Sequence, residues 1–148
     1  MNIGLIYFKK EENDFKFLLG KKNLKTLNLD NKLYSDLGGY FEEDILDEVK
    51  YLFKEHTFDL ISFKDDEKNY NFENDKYKYK LYFFENDVSD SVIETVNKVR
   101  NNINKTTEND VKWFSLDEII DNKELFEKEF FNTFIRAVRK YKDNFIKV

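Results

Sequence analysis

The side chains best suited to chemistry gather in one stretch, Asp36-Leu37-Gly38-Gly39-Tyr40-Phe41-Glu42-Glu43, and in the acidic run behind it that closes as Phe53-Lys54-Glu55-His56-Thr57-Phe58. Paired glycines let a backbone approach a phosphate closely, or make a tight turn with positive φ. Carboxylates at helical spacing can hold a divalent cation. On a helix, Asp44 and Glu48 stand about 6 Å apart along the axis and can share an ion, whereas Glu48 and Glu55 stand roughly 10 Å apart, at the limit of reach. Lys54 beside Glu55 opposes such a cation by charge repulsion. The same acids also read as an ordinary solvated helix face. His56 is the only histidine, which excludes chemistry built on several imidazoles, and its expected place is a surface or a helix end. With no cysteine there is no disulfide framework, thiolate zinc site or thiol nucleophile, a usage that suits a reducing compartment.

These residues need elements to position them. Ile3 to Phe8 and Phe15 to Leu19 are apolar runs of strand length around the polar turn Glu11-Glu12-Asn13-Asp14, a β-hairpin that stops at Gly20. Leu24, Leu27, Leu29 and Leu33 suggest a covering loop or short strand. From Asp44, the spacing of Ile45, Leu46, Val49, Leu52 and Phe53 predicts an amphipathic helix with Asp44, Asp47, Glu48, Tyr51 and Glu55 outside. A strand is expected over Asp59 to Phe63, then a polar connection from Asp65 to Asp75. Lys76 to Phe84 alternates, placing Tyr77, Tyr79, Leu81 and Phe83 on one face and lysines on the other. Ser91 to Glu94 has capping-box spacing for a second helix, carried by Ile93, Val96, Val99 or Arg100, and Ile103. A polar loop from Asn101 to Asn109 precedes a short strand, Val111 to Phe114, and a helical turn, Ser115 to Ile120. A long helix follows from Asp121 or Asn122 through Phe126, Phe130, Phe134, Val138, Tyr141 and Phe145.

The 148 residues are expected to form one domain over 1–148, with a core filled by the 16 Phe and 9 Tyr despite 37% charged residues. A net charge of −5 argues against coating DNA by bulk electrostatics, while leaving room for a local basic patch. The apolar N-terminus is too short, and too soon followed by Lys9 and Lys10, for a signal peptide or membrane span, so a soluble cytoplasmic protein is expected. The abundance of Lys, Asn, Ile, Phe and Tyr fits an AT-rich genome. The Lys76, Lys78 and Lys80 face reads as edge-strand protection or a phosphate contact. Arg136, Arg139, Lys140 and Lys142 read as charges that favour a helix C-terminus or as a docking patch.

The order of hairpin, Gly-Gly loop, acidic helix, tyrosine-rich strand, Trp113-Phe114-Ser115-Leu116-Asp117-Glu118-Ile119 segment and closing helix resembles the Nudix hydrolase domain over nearly the whole chain. Leu18-Leu19-Gly20-Lys21-Lys22, Gly38-Gly39 with Glu42, and Lys54-Glu55-His56-Thr57-Phe58 carry the resemblance. Against the family box, G-x5-E-x7-R-E-U-x-E-E-x-G-U with U a bulky aliphatic residue, Lys50 falls at the Arg, Tyr51 at the first helix Glu, Lys54 and Glu55 at the Glu pair, and Thr57 at the Gly. The box is degenerate, and Glu55 alone remains of its three helix glutamates.

The resemblance implies an α+β fold, a Nudix-like α/β/α sandwich with a mixed central sheet. It implies a divergent protein that binds a nucleotide or the capped 5′ end of RNA with hydrolysis weak or lost. The alternatives are an active metal-dependent hydrolase of nucleoside diphosphate-linked substrates, including mRNA cap, and a protein-interaction module. Nudix enzymes resemble one another in holding Mg2+ or Mn2+ on clustered helix carboxylates, so an active form implies Glu42, Glu43, Glu48 and Glu55 as metal ligands, with Glu55 and Glu48 catalytic. Gly38, Gly39, Tyr40, Tyr34, Tyr82 and Phe84 are the implied ligand-binding residues. The aromatics among them, like Phe41 and Trp113, equally suit core packing.

Overall fold

A computed structural model describes residues 1–12, 14–21, 33–61, 63, 69–104 and 110–141, apart from the side chains of 103 and 104. The expectations for Lys22, Leu24, Leu27, Leu29, Ile103, Lys142 and Phe145 fall outside what is described. The frame is set by a long strand that every layer touches. β1 (Asn2–Glu11) folds back on β2 (Asp14–Lys21) as the expected hairpin, pairing Tyr7 with Leu18 and Lys9 with Lys16. Gly20 does not stop β2. It pairs with both Ser35 of β3 (Tyr34–Ser35) and Val111 of β7 (Val111–Ser115). On its other edge β1 runs parallel to β6 (Tyr79–Glu85), and β6 pairs antiparallel with β5 (Asn69–Asn74). The short β4 (Gly39–Tyr40) pairs with the start of β1. One parallel pairing among antiparallel ones makes the sheet mixed, in the order β3-β2-β1-β6-β5 with β4 and β7 beside β1 and β2.

Both faces of this sheet are covered. Phe17, Phe83, Phe114 and other large side chains of one face pack on α3 (Leu116–Asp121) and α4 (Lys128–Lys140). Phe17 and Phe134 meet edge to face at 4.9 Å, a geometry that adds to the area they bury. Ile3, Leu5, Tyr7, Tyr82 and Phe84 of the other face pack on α1 (Leu46–His56) and α2 (Asp90–Asn104). Tyr7 contacts Phe53 of α1 at 5.2 Å and Phe84 at 6.2 Å. The result is the expected α/β/α sandwich.

Double coverage explains the largest departures from the sequence reading. In β6, Tyr79, Leu81, Tyr82, Phe83 and Phe84 are all buried, so the alternation of tyrosine and lysine does not mark one wet face. The strand begins at Tyr79 rather than Lys76, because 75–78 form the turn that joins it to β5, with Lys78 at φ 51°. β5 occupies part of the segment read as a polar connection. Its residues Asn69-Tyr70-Asn71-Phe72-Glu73-Asn74 form an edge strand, buried alternately and held by β6. Around Asp59 to Phe63, the described residues lie in the turn that ends α1 and in the chain beyond it, and none is in a strand.

Two of the helices, α1 and α4, start later than the periodicity suggests, and α2 starts earlier. α1 begins at Leu46, leaving Asp44 before it, and α4 begins at Lys128, after a 3-10 turn over Lys123–Leu125. α2 starts at Asp90, with Val92 N bonded to Ser89 O, so Ser91 lies inside the helix rather than capping it. The capping box occurs instead at α3, where Glu118 N donates to Ser115 Oγ and Ser115 N donates to Glu118 Oε1. α1 closes in a Schellman arrangement, with Asp59 N bonded to Lys54 O and Phe58 N to Glu55 O. Phe58 and Asp59 both take positive φ there, 55° and 59°. No described helix is long and apolar enough to cross a membrane.

Candidate functional site

Gly38 and Gly39 are glycines because of what lies against them. Neither has positive φ, which corrects the reading of a glycine-dependent turn. A Cβ on Gly38 would overlap Ile3 O and stand 2.5 Å from Gly4 Cα, and one on Gly39 would stand 2.6 Å from Leu52 Cδ2. The pair therefore lets the chain lie flat between β1 and α1. Gly4 completes this arrangement, since a Cβ there would collide with the buried carboxyl of Asp36. That carboxyl accepts the Tyr79 hydroxyl, and burial together with the Asp36 charge holds the Tyr79 proton on well above the usual phenol range.

Behind the glycines α1 turns Val49, Phe53 and His56 inward and leaves Glu48, Tyr51 and Glu55 in solvent. His56 ends the helix as expected but is fully buried, not at the surface, with Nε2 3.2 Å from Gly38 O. It continues the apolar stripe at seven-residue spacing from Val49, and that position required burial. Its carbonyl accepts Arg100 Nη1 at 3.1 Å, and Arg100 Nη2 donates to Lys21 O. Arg100 is itself fully buried. Burial pulls its pKa down to about 10 against the attraction of Asp110 and Tyr34, which leaves it charged at neutral pH. The Tyr34 hydroxyl donates to Asp110 Oδ1 at 2.5 Å. One guanidinium thus ties the end of α1 to α2 and β2.

In front of α1, Asp44 receives Lys80 Nζ and the Tyr82 hydroxyl, the latter at 2.7 Å. Burial works to raise the Asp44 pKa, but the bonds from Lys80 and Tyr82 outweigh it and the net shift is downward. Lys80 moves upward: burial opposes this and the bonds to Asp44 and Tyr82 prevail. Tyr82 also moves upward, through burial and then the bond to Asp44. Gly39, Ile3 and Lys80 lie in one row across β4, β1 and β6, so this charged group borders the glycine pair.

The other anticipated residues are dispersed. Glu42 and Glu43 are exposed in the bend before α1, and Glu48 and Glu55 point outward, where the Tyr51 hydroxyl bonds Glu55. Among the described residues no three Asp, Glu, His or Cys side chains are placed to hold a metal ion. Of the box's three helix glutamate positions, Tyr51 and Lys54 carry no carboxylate and Glu55 points outward, so the set does not fit a carboxylate-held divalent cation. Phe84 is fully buried between Tyr7 and Phe63, and Tyr34 is packed on Phe114 at 4.9 Å, so neither ring is presented to a ligand. Tyr40 is 74% exposed on β4 and is available for stacking. The sequence offers Asp44 as an ion ligand with Glu48, and Lys80 as a phosphate contact, but neither their pairing with each other nor a role for Asp110 was anticipated. The one sequence signal for the buried network was Arg100, an arginine standing on an apolar helical stripe.

No protein-family model matches the chain, and a search of curated proteins gives no match. Solved structures do resemble it. The Nudix domain of Shewanella oneidensis NrtR complexed with ADP ribose aligns with TM-score 0.50 and 13% identity over 94% of this chain and 85% of that one. A Nudix hydrolase from Listeria monocytogenes aligns with TM-score 0.50 and 13% identity, over 100% of this chain and 98% of its own. Shewanella oneidensis NrtR complexed with a 27mer DNA aligns with TM-score 0.53 and 14% identity over 97% of this chain. The chain spans only 62% of that protein's length. The sandwich with a glycine pair leading into a covering helix is therefore a Nudix-like architecture. The chain has the Nudix fold.

Proposed function

We propose that this is a Nudix-fold protein that binds a nucleotide, free or as the capped 5′ end of an RNA, and that its hydrolytic chemistry is weak or lost. The observation that carries this reading is the set of side chains at the box's helix glutamate positions. Tyr51 and Lys54 bring no carboxylate there, and Glu55 is exposed and bonded to the Tyr51 hydroxyl, where a metal-using site would need clustered carboxylates. The fold shared with the ADP ribose complex of the NrtR Nudix domain supports a nucleotide as the ligand class.

A ligand would meet the sheet beside the glycine pair, where the exposed Tyr40 offers a ring and Lys80, ordered by Asp44, offers its remaining N–H donors. Stacking and charge-assisted hydrogen bonds hold a nucleotide without a metal. The test is turnover of ADP ribose, dinucleoside polyphosphates and capped RNA by purified protein with magnesium or manganese. The expected result is little or no release above the rate without protein. Robust turnover that Glu55→Gln or Glu48→Gln abolishes would replace this reading with that of an active hydrolase.

A further inference from the structure

On the sheet face opposite α1, the β5–β6 turn and α4 enclose a recess of about 400 Å³ whose charged lining is Lys76, Arg136 and Arg139. From this we infer a second site, one that binds adjacent phosphate groups. Three cations converge on one concavity of a protein with net charge −5. Among the described residues none of the three makes an ion pair; the pairs formed involve Lys9, Lys16, Lys80 and Lys98.

The recess is built around a buried amide. Asn74, 1% exposed, donates through Nδ2 to Thr133 Oγ1 at 3.2 Å and accepts Lys76 N at 3.1 Å and Arg136 Nη1 at 3.3 Å through one oxygen. This single side chain fixes the turn that carries Lys76 and aims the Arg136 guanidinium, whose remaining N–H groups are left for a ligand. Asn132 Nδ2 holds the Tyr77 hydroxyl at 3.2 Å, setting a ring at the recess wall. A fixed guanidinium, two further cations and an adjacent ring match a phosphate chain carrying a nucleoside. The volume suits one such unit. The phosphates of a free diphosphate and those of a single-stranded backbone share this chemistry.

The test is titration of the intact protein with pyrophosphate by calorimetry and with a labelled single-stranded RNA by anisotropy, against Lys76→Gln/Arg139→Gln, which spares the Asn74 contacts, and against Lys10→Gln/Lys98→Gln as a charge-matched control. The site predicts binding of at least one probe, weakened roughly tenfold in the first variant and unchanged in the control. For RNA, it also predicts a log–log salt slope lowered by about 0.7 for each cation removed. Pyrophosphate binding alone assigns the site to a free diphosphate, and RNA binding alone assigns it to a strand. Absence of binding to both probes, or equal weakening in both variants, overturns the proposal. Because the site lies on the face away from Gly38 and His56, either result leaves the nucleotide reading of that cleft standing or falling by its own assay.

Discussion

Asp44 and Lys80 carry opposite pH signatures. The Asp44 pKa is depressed on folding, so its contribution to stability is present above the unfolded carboxylate value, about 3.9, and is lost as pH falls through the lower folded value. Lys80 is raised, so its contribution is present below about 10.4 and is lost as pH rises through the higher folded value. Asp44→Asn should therefore flatten the acid limb of stability against pH below about 4. Denaturant unfolding from pH 2 to pH 7 would show it, and an acid limb identical to that of the wild type would contradict the pairing. Lys78 illustrates backbone rather than charge. It is exposed in the turn at φ 51°, a conformation that costs a side-chain-bearing residue about 1 kcal/mol. Lys78→Gly should raise stability in urea unfolding by only a few tenths of a kcal/mol, because the relief of this strain is offset by the greater freedom of glycine in the unfolded chain.

At the scale of elements, the packing of β1, β4 and α1 rests on glycines and on one buried arginine. Gly38→Ala places a methyl against Ile3 O and Gly4 Cα, and backbone cannot yield as a flexible side chain does. A loss of about 3 kcal/mol or more is expected in chemical denaturation. Arg100→Met keeps volume but strands the carbonyls of His56 and Lys21, with an expected cost of about 2–4 kcal/mol by the same measurement.

The hairpin of β1 and β2 was legible from its apolar runs, as were α1, α2 and the sandwich order. β5 was not, because Asn69-Tyr70-Asn71-Phe72-Glu73-Asn74 has little strand preference and is a strand through its pairing with β6. The late start of α4 was hidden for a related reason. Phe126 fits the helical stripe, yet it is buried in extended geometry beside Tyr34 before the helix begins. At the candidate site, the outward direction of Glu48 and Glu55 follows from the helix period. The burial of His56 and Arg100 follows from neighbours that are distant in sequence.

For the whole molecule, the Nudix fold and the chemistry of its cleft are separable claims. The sandwich depends on cores on both sides of the sheet, each contiguous and rich in aromatic rings. Those cores specify the architecture without any carboxylate on the inner face of α1. A fold of this kind can keep a ligand cleft while the residues for metal chemistry change, because binding and bond cleavage draw on different side chains. The measurement that tests this most directly is calorimetric titration of the protein with ADP ribose, once with magnesium and once with excess chelator. The account predicts saturable binding of equal affinity in both. Binding that vanishes with chelator, or robust turnover during the magnesium titration, would contradict it.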